Sequence, residues 1–144
     1  MEKKYYLGFD AGTQSVKVAV YDEDMQEIAM ATAKTTLSYP QPGWVQMDID
    51  EYYRLIKQCM RRCSDAMRAK GLDPKGVRAI MGDGIICGIA CIDKDANALT
   101  PYINYLDSRT AADVEALKQQ NLPIWAAETG NAEPNVMFPA MFAR

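Results

Sequence analysis

Apolar and polar positions alternate over two stretches near the start of the chain. Tyr6, Gly8 and Asp10 alternate with Leu7, Phe9 and Ala11, and Val16, Val18 and Val20 alternate with Lys17, Ala19 and Tyr21. A period of two predicts strands, and the short gap between the runs predicts a hairpin. Asp22–Met25 reads as a turn, and Gln26–Thr36 as a third strand completing an antiparallel meander. Two prolines and a glycine make Ser38–Gly43 a loop. Beyond it the period becomes helical: Tyr52, Leu55, Ile56, Cys59, Cys63 and Met67 recur at the spacing of one helix face. Asp48 or Asp50 suits the N-cap of this helix, which runs to about Lys70. Gly71 suits its stop, with Arg68 and Lys70 placed to favour the helix dipole.

Val77–Met81 reads as a buried strand and Ile89–Ile92 as another, with Gly82-Asp83-Gly84 opening the connection between them. Asp93–Ala96 is the next turn. A second helix is expected from Asp107 or Ser108 to about Gln120, broken at Asn121–Pro123, and VMFPAMFAR at the end of the chain reads as the start of another helix. The order strand–strand–strand–helix–strand–helix predicts an α/β fold: a mixed sheet, with an antiparallel β-meander at the N-terminus, and helices packed on it.

Composition supports a single globular domain and excludes several functions. The 144 residues are 49% hydrophobic and 24% charged, enough for a real core. The net charge of −3 is spread along the chain, so neither a nucleic-acid surface nor a basic membrane patch is expected. MEKKYYLGFD enters a strand without the apolar segment of a signal peptide, and no stretch is long enough to span a bilayer; a cytoplasmic location is the expectation. The chain has no histidine, so acid–base work within it falls to carboxylates, Lys, Tyr or Cys. Cys59 and Cys63 share a helical spacing, but Cys87 and Cys91 sit on a loop-to-strand segment where four residues cover about 13 Å, too far for two ligands of one zinc. The four cysteines are read as reduced, most of them buried.

The candidate chemistry lies at residues 10–17, DAGTQSVK. Gly12 relieves the turn and lets a ligand approach the backbone. Thr13, Gln14 and Ser15 can donate hydrogen bonds, Lys17 adds a positive charge, and successive N–H groups in such a turn form an anion-binding concavity. Asp10 alone would repel a phosphate. It fits if a hard cation lies between them, because Mg²⁺ takes one or two carboxylates together with phosphate oxygens. The alternative reading of the same residues is an ordinary polar hairpin turn. The chain has no G-x-x-x-x-G-K-[ST] and no G-x-G-x-x-G, which disfavours a P-loop or Rossmann site.

DAGTQSVK followed by Tyr21-Asp22 resembles the first phosphate motif of the actin, heat-shock and sugar-kinase superfamily. PQPGWVQMDIDEYY at 40–53, PYINYLDSR at 101–109, and TGN at 129–131 followed by Pro139 resemble one branch of it, the FGGY carbohydrate kinases. Four motifs in family order cover the whole chain. The resemblance implies a ribonuclease-H-like core. It also implies ATP-dependent phosphorylation of a sugar or polyol hydroxyl, with ATP and Mg²⁺ as cofactors. Asp10 would hold the metal, and Gly12, Thr13, Gln14, Ser15 and Lys17 would face the nucleotide phosphates.

The resemblance further places Ile86, Cys87, Tyr105, Asp107 and Asn135 at the substrate. GIICG at 84–88 stands where xylulose-kinase-like members carry G-Q-x-H-G, so Ile85 and Cys87 replace polar side chains and a changed substrate is expected. For Asp107 a plain helix N-cap is the competing reading, and Trp44 reads as a packing anchor for its loop. The chain is expected to be the N-terminal portion, residues 1–144, of the first of two kinase domains. The catalytic aspartate and the adenosine-binding domain would lie beyond it. On that reading the isolated chain is inactive and self-associates through its last apolar segment, Val136–Ala143. A native homo-oligomer stays open. Two other readings also stand: a kinase of a non-sugar hydroxylated metabolite, and a non-catalytic interaction or regulatory module.

Overall fold

β1 (Tyr5–Ala11) and β2 (Ser15–Asp22) form the expected hairpin, and β3 (Glu27–Lys34) pairs antiparallel with β2. The computed structural model describes residues 3–120, 124–130 and 132–136. The β2–β3 turn closes on Asp22, whose carboxylate accepts from the N–H groups of Asp24 and Gln26. Tyr5, Leu7, Val16, Val18, Val20, Ala29 and Ala31 line one sheet face and are buried. Over that face lies α1 (Ile49–Ala69), which contributes Leu55, Cys59, Cys63 and Met67 to the same core.

The end of α1 follows from Gly71. At φ +70° it adopts the left-handed conformation that glycine takes without a Cβ penalty. The Gly71 N–H then donates to the Arg68 carbonyl and the Leu72 N–H to the Met67 carbonyl, which satisfies two of the helix's last acceptors. The chain returns through a short 3₁₀ turn capped by the Asp73 side chain and enters β5 (Val77–Gly84), parallel to β1. The sheet order is β3-β2-β1-β5, a mixed sheet as expected.

β5 departs from the sequence reading in two ways. It runs on through Asp83 and Gly84, and it is exposed rather than buried: Ile80 is 60% and Met81 79% accessible. An apolar run identifies a strand but not its neighbours, and β5 is the edge of this sheet.

Residues 1–36 and 50–85 make one compact unit; residues 37–49 and 86–144 make a second. In the second unit β4 (Gln46–Met47) pairs antiparallel with β6 (Tyr102–Ile103). The strand expected at Ile89–Ile92 is reduced to isolated bridges, Ile89 to Ile103 and Ile92 to Ala98. Asp93 heads the expected turn, its carboxylate taking the N–H groups of Asp95 and Asn97 and the Asn97 amide. These bonds, the Asn97 side chain first, hold the Asp93 carboxyl below its ordinary pKa.

α2 (Ala111–Gln119) starts later than expected, after Thr110, so Asp107 and Ser108 are not its cap. A one-turn helix, α3 (Trp125–Thr129), ends at Gly130 with φ +70°. The expected breaker Asn121–Pro123, Asn131 of the TGN motif, Pro139, and all but the first residue of the expected last helix lie outside the described residues.

Candidate functional site

The first candidate site is the β1–β2 connection. β1 ends at Ala11 and β2 begins at Ser15, so Gly12, Thr13 and Gln14 make the turn. The Gly12 N–H donates to the Ser15 carbonyl at 3.0 Å. That bond closes the turn around Thr13 and Gln14. Their carbonyls are tied down from behind: Thr35 donates its hydroxyl to Thr13 and its N–H to Gln14. From α1, the Tyr52 hydroxyl bonds the carbonyls of Ala11 and Gly12. The turn is held by a helix and a neighbouring strand, which is how a rigid scaffold positions a functional loop.

The charged groups form a row across the strands. Asp10 pairs in register with Lys17 on β2 and with Asp83 on β5. Residues directly opposite in a sheet share a face, and this is the face away from α1. All three line an open depression of about 660 Å³ floored by Gly8, Ala19, Tyr21, Met30 and Met81. The Asp10 carboxylate makes no hydrogen bond or ion pair among the described residues, so its oxygens remain available. No cluster of three or more metal-ligating side chains exists among those residues. One or two carboxylates suit a hydrated Mg²⁺ completed by phosphate oxygens, not a closed protein cage.

Sequence pattern could not reach Asp83. Only the parallel register of β1 and β5 brings it beside Asp10, and Gly82 permits that register. A Cβ at Gly82 would fall 2.0 Å from the Phe9 ring.

A separate group of candidate residues lies in the other unit. Ile86 is exposed and Cys87 half-buried, with Cys87 at φ +66°, an uncommon conformation for a residue with a Cβ. Gly88 is required here because a Cβ would meet the Tyr102 hydroxyl at 1.9 Å. That hydroxyl is buried without a partner among the described residues. Burial, reinforced by the neighbouring Cys87 thiol, raises the Tyr102 pKa.

Tyr105 is half-buried. Asp107 is only 1% exposed. Its carboxylate accepts from the Val45 N–H at 2.6 Å, from the Arg109 N–H at 2.9 Å, and from the Arg109 guanidinium at 2.8 and 2.7 Å. Burial pushes its pKa up, but the Arg109 bonds and charge and the Val45 N–H outweigh that and hold it below the ordinary carboxylate value. Arg109 in turn stacks on Trp44, 3.9 Å from the ring centroid. Trp44 does anchor its loop, by way of this cation. Asn135 is half-buried. The structure thus gathers Asp10, Gly12, Thr13, Gln14, Ser15 and Lys17 in one unit and Ile86, Cys87, Tyr105, Asp107 and Asn135 in the other.

The mixed sheet covered by one long helix is a fold shared with solved carbohydrate kinases. A xyloylose kinase from Brucella ovis superposes with a TM-score of 0.77 at 28% identity, over 93% of this chain and 27% of that one. The glycerol kinase of Plasmodium falciparum shares the fold at a TM-score of 0.76 and 17% identity, over 95% of this chain and 27% of its own. In sequence, the xylulose kinase of Escherichia coli strain K12 is 28% identical over 126 residues, 88% of this chain and 25% of that protein. An autoinducer-2 kinase of Escherichia coli is 31% identical over 121 residues, 82% of this chain and 22% of that protein. Residues 5–140 match the N-terminal domain of the FGGY family of carbohydrate kinases, and the chain belongs to that family. It spans about a quarter of the length of the relatives it matches. Among the described residues no helix is long and apolar enough to cross a membrane.

Proposed function

We propose that this chain is the phosphate-loop and sugar-site portion of an ATP-dependent carbohydrate kinase that phosphorylates a hydroxyl of a sugar or polyol. The observation carrying this reading is the available Asp10 carboxylate at the head of a braced turn, in register with Lys17. Phosphoryl transfer asks a protein mainly for positioning and charge stabilisation. Thr13 and Gln14 would direct N–H groups at the nucleotide phosphates, Ser15 a hydroxyl and Lys17 a charge. Asp10, with Asp83 beside it, would hold Mg²⁺. The metal, when bound, neutralises phosphate charge. Tyr105, Ile86, Cys87 and Asn135 would face the acceptor. The catalytic base and the adenosine site would come from the length of the relatives that this chain does not match.

The test is phosphorylation of D-xylulose, glycerol and D-gluconate by the full-length protein with ATP, before and after Asp10→Ala. Turnover should fall about 10²-fold or more, the scale for removing a group that stabilises transition-state charge. The melting temperature should hold, because Asp10 is exposed. Unchanged turnover in the folded variant would return Asp10 to the role of an ordinary turn residue.

A further inference from the structure

Within the second unit, several hydrogen bonds join residues 43–46 to residues 104–109. The Asn104 N–H donates to the Val45 carbonyl at 3.0 Å, and the Ser108 N–H to the Gly43 carbonyl at 2.8 Å. The Val45 N–H returns to the Asp107 carboxylate. Gly43 sits at φ +79°, and a Cβ there would fall 2.6 Å from the Ser108 hydroxyl, so the approach needs glycine. Asn104 is fully buried; its carbonyl takes the Asp107 N–H and its side chain takes the Leu106 N–H. Residues 104–107 are therefore a closed turn with both ends fixed.

Arg109 locks this turn from outside. It holds Asp107 by two guanidinium bonds, reaches Gln46 Oε1 at 3.2 Å, and lies over the Trp44 ring, 3.9 Å from its centroid. A planar, bidentate and stacked cation cannot be reproduced by lysine. Tyr105, at the turn's first central position, is the exception. It is half-buried, and its hydroxyl has no hydrogen bond among the described residues. The two residues flanking Tyr105 are both tied, and its own hydroxyl is left over.

We propose that the Trp44–Arg109–Asp107 clasp is a positioning device that sets Tyr105 against the acceptor substrate. Asp107 and Arg109 then serve the site through Tyr105 and do not touch the acceptor. This rests on the kinase reading above. It predicts an effect on acceptor binding separate from nucleotide binding and from the chemical step, because uniform binding shows in KM alone.

The test uses the full-length protein with whichever of D-xylulose, glycerol and D-gluconate it phosphorylates best. Arg109→Lys should raise the acceptor KM roughly tenfold, the change that about 1.4 kcal/mol of lost binding produces, while kcat and the ATP KM stay near wild type. Trp44→Phe keeps an aromatic face for the cation and should stay close to wild type, whereas Trp44→Leu should behave like Arg109→Lys. In a Tyr105→Ala background, Arg109→Lys should add nothing further, because coupled residues are non-additive. An unchanged acceptor KM in Arg109→Lys, or an equal rise with and without Tyr105, overturns the clasp and leaves the kinase reading standing. Failure of the wild type to phosphorylate any of the three acceptors overturns the kinase reading and the clasp with it.

Discussion

Asp107 is a carboxylate only 1% exposed whose pKa is nonetheless lowered by Arg109 and the Val45 N–H. A group with a depressed folded pKa contributes stability that is fully present above its unfolded pKa and lost as pH falls through the folded one. Asp107→Asn should therefore cost up to about 3–5 kcal/mol near neutral pH, the range for removing one member of a buried ion pair. The gap between variant and wild type should narrow below about pH 4, as the wild-type carboxyl itself becomes neutral. Denaturant unfolding of both proteins from pH 7 to pH 2 checks this, and a gap constant across that range would assign the loss to packing. The D-x-R pattern of Asp107 and Arg109 was visible in the sequence, but its purpose was not. Trp44 and Val45 lie more than sixty residues away, and no local pattern announces a cation stacking on a particular ring. The turn at 10–17 was legible because its chemistry is contiguous; Tyr52, Thr35 and Asp83, which brace or flank it, arrive through tertiary pairing.

α1 shows how far periodicity reaches at the scale of an element. Its extent, its buried face of Leu55, Cys59, Cys63 and Met67, and its glycine stop follow from spacing and end signals alone. Burial raises the pKa of both thiols, of Cys63 also through Cys59 and Glu27, so they act as small apolar side chains of the core. Met67, 1% exposed, is the largest fully buried side chain among the described residues. Met67→Ala should cost about 2–5 kcal/mol, transfer plus residual cavity, and the readout is the denaturant midpoint at an unchanged slope. A loss below about 1 kcal/mol would mean that the helix does not seal the sheet as described. The failures share one cause. Ile89–Ile92 has a strand's composition but only single-residue bridges to pair with, and Val77–Met81 has a buried strand's composition on an edge. Side-chain pattern records what a segment tolerates; pairing and cover depend on partners elsewhere.

The molecule as a whole is two compact units woven from four segments, an arrangement no composition shift marks. In the first unit one sheet face is covered by α1 and the other is open, with Tyr6, Met30 and Met81 exposed on it and β5 at one edge of the described sheet. A long apolar edge strand is a template for pairing with another chain, and a contiguous apolar patch of a few hundred Å² seldom stays bare. The sequence had pointed to Val136–Ala143 for self-association, most of which lies outside the described residues; the described surface offers β5 instead. The 144-residue chain on its own should therefore associate as its concentration rises, seen as a growing mass in light scattering. Met81→Lys should suppress that growth, since a charge on an edge strand opposes pairing. On the proposed reading the same isolated chain should show no ATP-dependent phosphorylation of D-xylulose, glycerol or D-gluconate, because the groups that would face the turn would come from the length of the relatives that this chain does not match. Growth in mass that Met81→Lys leaves untouched would move the contact away from β5. A clean monomer at high concentration would show that the open face is stable in water. Measured phosphorylation by the isolated chain would place the catalytic base within these 144 residues, where the exposed Asp83 beside Asp10 would be the first carboxylate to test.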